Sequence, residues 1–375
     1  MGRVFVYEHL TGGGLQDGGD SASCLATLLV EGRALRDALT EDLLRARWAV
    51  DLLDDPRSGV RPPAGATVHA VVDRQAQRAL FRKLAGQADH TVLIAPEWGG
   101  VLLAYCREAE RCGAGLRSPS AEFVAVAADK HQTIGRLSAA GVPVPAGVAV
   151  AAGAALPDAF AWPALVKPVE GAGSLGIRRL ENAGAAAGFP RQAYRMRLET
   201  ICAGLPASVS LLCGPRVGGR SSGLDAEARE RPVGPLTALP PGSIQALPAA
   251  RQHLAADGSC RYQGGSLPLE ADLCRRARRL ALRALQALPP VTGFVGVDLI
   301  LGPAGDGSSD VVVEVNPRLT TSYLGLRRLC RDNLGAAMLN AAVGQPIPLG
   351  FENGAWQFDV CGRVRPDRSA AEAGA

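Results

Sequence analysis

Two of the three lysines in this chain lie where a phosphate-binding site needs a compact positive charge. The other 37 of its 40 Lys and Arg residues are arginines, so lysine is rare in these 375 residues. Lys167 ends the apolar, strand-like run PALVKP, and Lys130 opens the helix-like run DKHQTIGRL. Lysine offers a point charge and arginine a broad planar fork, so the two do not replace each other at a tight phosphate site. The pattern indicates nucleotide binding; the alternative is that both lysines are solvated.

A glycine-rich segment, EGAGSLGI, follows Lys167 directly. Such a segment can approach phosphates through its backbone N–H groups and close over them as a lid. It is not a P-loop, because the GK[ST] element is missing. Gly12 and Gly14 do not begin a dinucleotide-binding motif either, since Asp17 occupies the position of the third glycine. The residues predicted to contact phosphates are Gly171, Gly173, Ser174 and Gly176.

A β-branched run further along, VVVEVNPRLTT, carries residue types that bind hard cations. Residues two apart on a strand share a face, so Glu314 and Asn316 are predicted to project together, with Arg318 just beyond the strand end. Asp298 lies in the preceding apolar strand, where a buried carboxylate is costly unless it is paired or metal-bound. Such oxygen ligands suit Mg²⁺ or Mn²⁺, and no His or Cys cluster of the zinc type occurs. Alternatively, Asp298 and Glu314 pair with arginines in a structural network.

The composition favours a globular protein that acts on small molecules. Apolar residues make up 47% and charged residues 20% of the chain, and the net charge is +4. No basic run alternates with aromatic residues, which argues against nucleic-acid binding. Four prolines break the nearly uncharged region 141–166, so no membrane helix is expected. Nine cysteines without a secretion signal predict reduced thiols and a cytoplasmic location.

The elements that must position these residues fall into four regions. Residues 1–118 alternate strands and helices, which predicts an α/β domain with a parallel sheet covered on both faces. Residues 119–202 predict a small α+β lobe, and residues 203–362 predict a second lobe with a long helix and a strand hairpin. Within the latter, the Gly- and Pro-rich stretch 215–248 is predicted to be an irregular insertion. Residues 363–375 are predicted to be a disordered tail.

Together, these motifs and their order resemble the ATP-grasp superfamily from about residue 120 to residue 344. The resemblance implies an N-terminal α/β domain followed by a two-lobed ATP-grasp fold, with ATP between the lobes. By this resemblance Lys130 and Lys167 contact phosphates, and the glycine-rich segment covers them. Glu199 and Ile201 are expected at the adenine-contacting hinge. No carboxylate follows the hinge in ICAGLPASVSLL, so no residue is assigned to the ribose.

The resemblance also implies the chemistry. It predicts an ATP-dependent ligase that joins a carboxylate to an amine through an acyl phosphate. Asp298, Glu314 and Asn316 are expected to hold Mg²⁺, and Arg318 and Lys167 are expected to be catalytic. A different amino-acid ligase, a carboxylase-like or kinase-like enzyme, and a nucleotide-binding regulator remain as alternatives. The expected partners are small molecules, and a homodimer is left open.

Four segments are similar to tyramine–glutamate ligases of methanofuran-type cofactor synthesis: YEHLTGGG, IAPEWGG, RYQGGSLPL and EVNPRLTTSYLGLRR. The similarity implies that glutamate is joined through its γ-carboxylate to tyramine or tyrosine. Glu8 or Glu97 could hold an ammonium group, and Arg318, with Arg327 or Arg328, could hold carboxylates. Hydroxyl contacts to the amino acid are expected from the following run, which could instead only cap a helix: Thr320, Thr321, Ser322 and Tyr323.

Overall fold

The N-terminal part of the chain is built on a parallel sheet of four strands. The computed structural model describes residues 2–17, 22–215, 244–257, 259–345 and 349–367. The strands pair in the order β3-β2-β1-β4 and all run parallel. They are β1 Arg3–Glu8, β2 Ala49–Asp54, β3 Thr67–Ala70 and β4 His90–Ile94. The helices of this part are α1 Ala22–Arg45, α2 Arg74–Gln87 and α3 Val101–Arg111.

Helices cover both faces of this sheet, as the alternation of strands and helices predicts. Val4 and Val6 of β1 pack in one core cluster with Leu39 of α1. Phe5 and Tyr7, which point to the opposite face, pack in another cluster with residues of α2 and α3. Both faces of β1 are therefore apolar, which is why the run RVFVY shows no polar alternation.

A small antiparallel sheet follows two short helices. The helices are α4 Ala121–Ala127 and α5 Lys130–Ala139, and the carboxylate of Asp129 caps α5 by accepting from the Gln132 backbone N–H. The four strands pair in the order β5-β8-β6-β7. They and the short helix between them are β5 Gly147–Val150, β6 Ala164–Pro168, β7 Arg178–Leu180, α6 Ala183–Ala187 and β8 Met196–Thr200.

The remaining strands form a larger sheet in the order β14-β13-β9-β11-β12-β15-β16, with β10 paired to β9. Its strands are β9 Leu205–Cys213, β10 Ile244–Ala246, β11 Ala250–Leu254, β12 Tyr262–Leu267, β13 Gly293–Leu301, β14 Val311–Asn316, β15 Trp356–Asp359 and β16 Val364–Pro366. The helices are α7 Ala271–Gln286, α8 Ser322–Leu329 and α9 Leu334–Ala342. The predicted long helix is α7, and the predicted hairpin is the antiparallel pair β13–β14.

Parts of two sequence predictions differ from the structure or lie outside it. Strand β16 falls within the stretch predicted to be a disordered tail, because Val364 and its neighbours pair with β15. Residues 368–375 and most of the predicted insertion, residues 216–243, lie outside the described residues. In the described part of the chain, no helix has the length and apolarity needed to cross a bilayer. The cytoplasmic location and the homodimer stay predictions.

A buried polar cluster fastens α1 to α8. The Asp42 carboxylate of α1 accepts from the Tyr323 hydroxyl at 2.6 Å and from two nitrogens of Arg327 at 2.7 and 2.8 Å. Tyr323 is fully buried. Both side chains are thus used between helices, which does not support the substrate contacts predicted for Tyr323 and for Arg327 as an alternative to Arg328.

This cluster gives a stability prediction. Arg327→Leu removes the cation from a buried carboxylate, so the free energy of unfolding is expected to fall by about 3 kcal/mol. The neighbouring Arg328 is exposed, and Arg328→Leu should change the free energy of unfolding by less than about 0.5 kcal/mol. Urea unfolding of both variants measures the difference; equal effects would contradict a buried role for Arg327.

Candidate active site

A cleft of about 300 Å³ lies between the small antiparallel sheet and the larger sheet. Its lining comes from α5, the β6 end and glycine-rich loop, the β8–β9 connection, and the hairpin β13–β14 with the turn that follows. Most residues predicted for the site line this one cleft: Lys130, Lys167, Gly171, Gly173, Ser174, Glu199, Ile201, Asp298, Glu314, Asn316, Arg318, Thr320, Thr321 and Ser322.

Lys167 is held by a chain of buried polar groups that crosses the small sheet. Its ammonium lies 2.6 Å from Glu199 Oε1, and both side chains are almost fully buried. Glu199 Oε2 accepts from Arg197 Nε at 2.9 Å, and Arg197 Nη1 lies 2.9 Å from His131 Nδ1. Burial, and then the nearby Arg197 guanidinium, lower the pKa of His131, which suits a neutral imidazole that accepts this hydrogen bond. Both carboxylate oxygens of Glu199 thus have partners within the protein. If the segment after β8 contacts the base of a nucleotide, it does so through its backbone.

Lys130 connects the helix α5 to two other parts of the cleft. Its ammonium donates to the Gly171 carbonyl at 2.8 Å and lies 2.7 Å from Glu314 Oε1. Its backbone N–H also donates to the Val169 carbonyl. Both lysines are buried and paired within the folded protein, so the alternative that they are solvated is not observed. A buried cation needs such a partner.

Three oxygen-bearing side chains meet on the hairpin β13–β14. Asp298 lies directly across from Glu314, and Gly296 across from Asn316. The Asn316 amide donates to Asp298 Oδ2 at 3.0 Å, and the Gln252 amide donates to Asp298 Oδ1 at 2.9 Å. Burial, and then the neighbouring Glu314 carboxylate, raise the pKa of Asp298 to about 7. A buried carboxylate whose charge is disfavoured, with a second carboxylate directly beside it, makes a site that a divalent cation fits.

The donor set matches a hard cation that needs further ligands. Within the described ranges, no group of three or more His, Cys, Asp or Glu side chains could enclose a metal. Mg²⁺ is typically held by one or two carboxylates together with substrate phosphates. Asp298 and Glu314 therefore fit Mg²⁺ only in company with a phosphate-bearing ligand. Lys130 lies beside them, paired with Glu314, and Lys167 lines the same cleft.

The glycine-rich loop needs residues that tolerate a left-handed backbone. Gly173 has φ +64°, Gly176 has φ +75° and even Ser174 has φ +58°. A side chain at Gly176 would meet Pro168 at 2.8 Å, and Gly176 does not line the cleft. Gly176 thus shapes the loop, and the predicted phosphate contact at this position is not supported. Ala172 packs with Leu28 of α1, which seats the loop against the N-terminal part of the chain.

Arg318, just after β14, and Glu97, in the loop after β4, form a buried ion pair. Arg318 Nε donates to Glu97 Oε1 at 2.9 Å, and Arg318 also lines the cleft. Glu97 Oε2 is buried without a hydrogen-bond partner among the described residues, and burial raises the pKa of Glu97. Glu8 is directed elsewhere, because its carboxylate accepts from the backbone N–H groups of Leu10 and Thr11. The structure therefore gives Glu8 a role in the turn after β1 rather than in the main cleft.

The polar run after β14 contacts the cleft instead of capping α8. Thr321 stands at the N-cap position but makes no side-chain cap hydrogen bond. Its hydroxyl donates to Glu31 Oε1 at 2.7 Å, whereas Ser322 pairs with Ser210 and Thr320 pairs with Ser322. The capping alternative is therefore not observed at Thr321.

Sequence reasoning missed three residues that line the cleft, Glu31, Gln252 and Tyr262. Glu31 lies in the middle of α1, where a carboxylate looks like any polar helix residue. Gln252 and Tyr262 lie on neighbouring strands β11 and β12. The segment RYQGG drew attention only through its similarity to other proteins, and a glutamine in a strand carries no signal.

The raised pKa of Asp298 predicts how stability depends on pH without metal. The folded-state pKa of about 7 exceeds the ordinary 3.8, so between these values the folded protein binds a proton that the unfolded chain has released. The stability that Asp298 contributes is therefore full near pH 4 and is lost as the pH rises towards 7. Asp298→Asn should gain stability relative to wild type over this range, by at most about 1.4 kcal/mol per pH unit.

Urea unfolding in EDTA at pH 5 and pH 8 tests this expectation. Asp158 lies in an exposed loop, and Asp158→Asn is the matched control. Its free energy of unfolding relative to wild type should be the same at both pH values. A constant difference between Asp298→Asn and wild type would refute the predicted linkage.

Comparisons with known proteins agree with this architecture. A family model for a pre ATP-grasp 3 domain matches residues 49–124, and one for an ATP-grasp domain matches residues 239–322. No curated protein sequence matches the chain significantly.

Three solved structures illustrate the similarity of fold. An ATP-grasp superfamily protein from Archaeoglobus fulgidus is 18% identical, with a TM-score of 0.64 over 96% of this chain and 92% of that one. A carboxyaminoimidazole ribonucleotide synthase from Aspergillus clavatus, complexed with ATP, is 16% identical, with a TM-score of 0.61 over 95% and 81%. An L-amino acid ligase from Bacillus licheniformis is 14% identical, with a TM-score of 0.64 over 95% and 79%. Residues 49–124 and 239–322 thus match models of pre-ATP-grasp and ATP-grasp domains, and the chain shares the fold of these three solved proteins.

Proposed function

We propose that this protein is an ATP-dependent ligase that joins a small carboxylic acid to an amine. One observation carries the proposal: a single cleft brings together two lysines, a glycine-rich loop and a pair of carboxylates from four separate parts of the chain. Cations, loop backbone and metal-type oxygens are the three components that phosphoryl transfer requires. The matched ATP-grasp domain and the similar fold of an ATP complex support the same assignment.

In this proposal the nucleotide lies between the two sheets. Lys130 and Lys167 hold its phosphates, and the loop from Gly171 to Ser174 covers them with backbone N–H groups. The hinge after β8, at Thr200 and Ile201, contacts the base. ATP phosphates would replace carboxylates as partners of the lysines, so nucleotide binding exchanges one set of ion pairs for another.

The reaction needs positioning and charge neutralisation rather than a protein nucleophile. A substrate carboxylate attacks the γ-phosphoryl group, a new P–O bond forms, and the bond to ADP breaks. The amine, once it has lost its ammonium proton to water, attacks the acyl carbon and forms the C–N bond. Phosphate leaves with the C–O bond electrons, and the nitrogen releases a second proton to water or to the departing phosphate. Arg318 stabilises negative charge on the acyl phosphate. Mg²⁺, when bound at Asp298, Glu314 and Asn316, supplies Lewis-acid stabilisation of the phosphate oxygens.

The proposed substrates are glutamate, activated at its γ-carboxylate, and tyramine or tyrosine. The support is the similarity of four sequence segments to tyramine–glutamate ligases, together with the cleft position of Arg318 and of the hydroxyls of Thr320 and Thr321. Arg327 is excluded from a substrate role by its pairing with Asp42. The proposed pathway role is the synthesis of a methanofuran-type one-carbon carrier.

Lys167 gives the sharpest test of nucleotide binding, because the third lysine offers a matched control. Lys167→Met keeps the length of the side chain but removes its charge, so the dissociation constant for ATP should rise about 10- to 100-fold. Lys83 is exposed on α2, and Lys83→Met should bind ATP as wild type does. Calorimetric titration measures both constants; an unchanged affinity in Lys167→Met would remove the basis for the phosphate site.

A Glu314 variant tests whether this carboxylate is needed for metal-dependent turnover rather than for nucleotide binding. Glu314→Gln keeps the shape but removes one of two carboxylates, so turnover should fall by at least about 100-fold while part of the ATP affinity remains. ADP release measured across a range of Mg²⁺ concentrations reports the effect. Near-normal turnover in this variant would mean that the hairpin carboxylates are only structural.

The substrate pair is tested by product formation. The purified protein is mixed with ATP, Mg²⁺, glutamate and either tyramine or tyrosine, and the amide is followed by mass spectrometry. Dipeptides from other amino acids, without either aromatic amide, would point to a general amino-acid ligase. ADP release with bicarbonate alone would favour a carboxylase-like enzyme, and ATP binding without turnover would favour a regulator.

A further inference from the structure

We infer that Glu31 binds the primary ammonium group of a substrate in the part of the cleft bounded by Arg318 and Thr321. The inference rests on the proposed function, because it names the charge of one of the two joined molecules. It assigns a recognition role to a residue of the N-terminal part of the chain.

Glu31 is a buried carboxylate without an ion-pair partner. Its side chain comes from the middle of α1, is 8% exposed and lines the cleft. Among the described residues no Lys, Arg or His nitrogen lies within 4 Å of it, whereas Glu199 and Glu314 of the cleft, and Glu97 beside Arg318, each have such a partner. Asp298 also lacks an ion-pair partner within the described ranges, but both of its oxygens accept hydrogen bonds from the amides of Gln252 and Asn316. Burying an unpaired charge costs several kcal/mol. A ligand cation is the partner that the open cleft can supply.

One oxygen of Glu31 accepts a hydrogen bond, and the other lies next to the glycine-rich loop. Oε1 accepts from the Thr321 hydroxyl at 2.7 Å, which sets the orientation of the carboxylate. Oε2 lies 3.7 Å from the point where a Cβ on Gly173 would stand. The absence of a side chain on Gly173 therefore leaves room beside this oxygen.

Around Arg318 the carboxylates outnumber the cations. Glu97, Glu31 and Glu314 all act on Arg318, and Glu314 already has Lys130 as its partner. Arg318 hydrogen-bonds with Glu97, so Glu31 shares a cation that is already paired. Glu97 also keeps one buried oxygen without a hydrogen-bond partner in the described part of the chain. This excess of negative charge favours a cationic ligand over a neutral or anionic one.

Tyr262 adds an aromatic surface to the same region. Its phenol lines the cleft, and burial, then the Glu31 and Asp298 carboxylates, raise its pKa. An ammonium group next to a carboxylate and an aromatic ring is stabilised by both. Bicarbonate has neither the charge nor the size for this environment.

The ammonium could belong to either molecule that the ligase joins. It is the amino group of the amine substrate or the α-ammonium of an amino acid that supplies the carboxylate. The chemistry is the same in both cases, and two pairs of probes distinguish them. Tyramine is compared with tyrosol, in which a hydroxyl replaces the amino group. L-Glutamate is compared with glutarate, which lacks the α-ammonium.

The experiment measures dissociation constants by calorimetry, with Mg²⁺ and a non-hydrolysable ATP analogue present. Wild-type protein should bind the ammonium member of one pair at least about 10-fold more tightly than the member that lacks the ammonium group. Glu31→Gln keeps the acceptor for Thr321 but removes the charge. The two members of the pair should then bind about equally well, while the affinity for the ATP analogue stays unchanged. Glu31→Asp should restore part of the preference.

Two controls separate this role from a structural one. Glu181 is exposed and pairs with Arg179, so Glu181→Gln should leave every constant unchanged. Thr321→Val keeps the charge of Glu31 and should keep most of the preference. The inference is overturned if Glu31→Gln retains the wild-type preference, or if wild type shows none in either pair. Failure of wild type to bind the ATP analogue would instead overturn the proposed function.

Discussion

Burial of positive charge in the cleft is the constraint on which the rest of this structure depends. Each of three cations there is paired with a carboxylate from a different element: Lys130 with Glu314, Lys167 with Glu199, and Arg318 with Glu97. A cation taken out of water is tolerated only when a partner compensates the lost hydration. The Lys130 and Arg318 pairs therefore tie α5 and the loop after β4 to the hairpin region, and the Lys167 pair ties β6 to β8 within the small sheet.

The same pairs prepare the cleft for a highly charged ligand. Their side chains are already desolvated and ordered, so a nucleotide does not have to immobilise long flexible chains when it binds. The network through Arg197 and His131 extends this order across the small sheet. Asp298 shows the opposite condition, because burial, and then its neighbour Glu314, disfavour its charge. The cleft cations thus have partners within the protein, whereas Asp298 would gain from the cation that is proposed to bind there.

Local pattern was enough to predict the parts of the site that lie on one element or one hairpin. Strand periodicity predicts that Glu314 and Asn316, two residues apart, project from the same face. The chemistry of glycine-rich loops predicts a phosphate site next to Lys167. The partners of these residues did not follow from such rules. Arg318 and Glu97 are 221 residues apart, and Thr321 and Glu31 are 290 apart. Contacts of this kind are decided by how α1 and the loop after β4 pack on the larger sheet, which no local pattern encodes.

The pairing of the lysines has a chemical consequence under the proposed reaction through an acyl phosphate. An acyl phosphate is an electrophile, and a neutral lysine beside it would be acylated in place of the substrate amine. A lysine paired with an anion is an ammonium group without a lone pair to attack with. The anions are Glu199 and Glu314 in the free protein, and ATP phosphates in the proposed complex. Arginine, the choice at 37 other positions, is a poor nucleophile because its guanidinium stays protonated. The scarcity of lysine therefore leaves few protein amines that such an intermediate could modify.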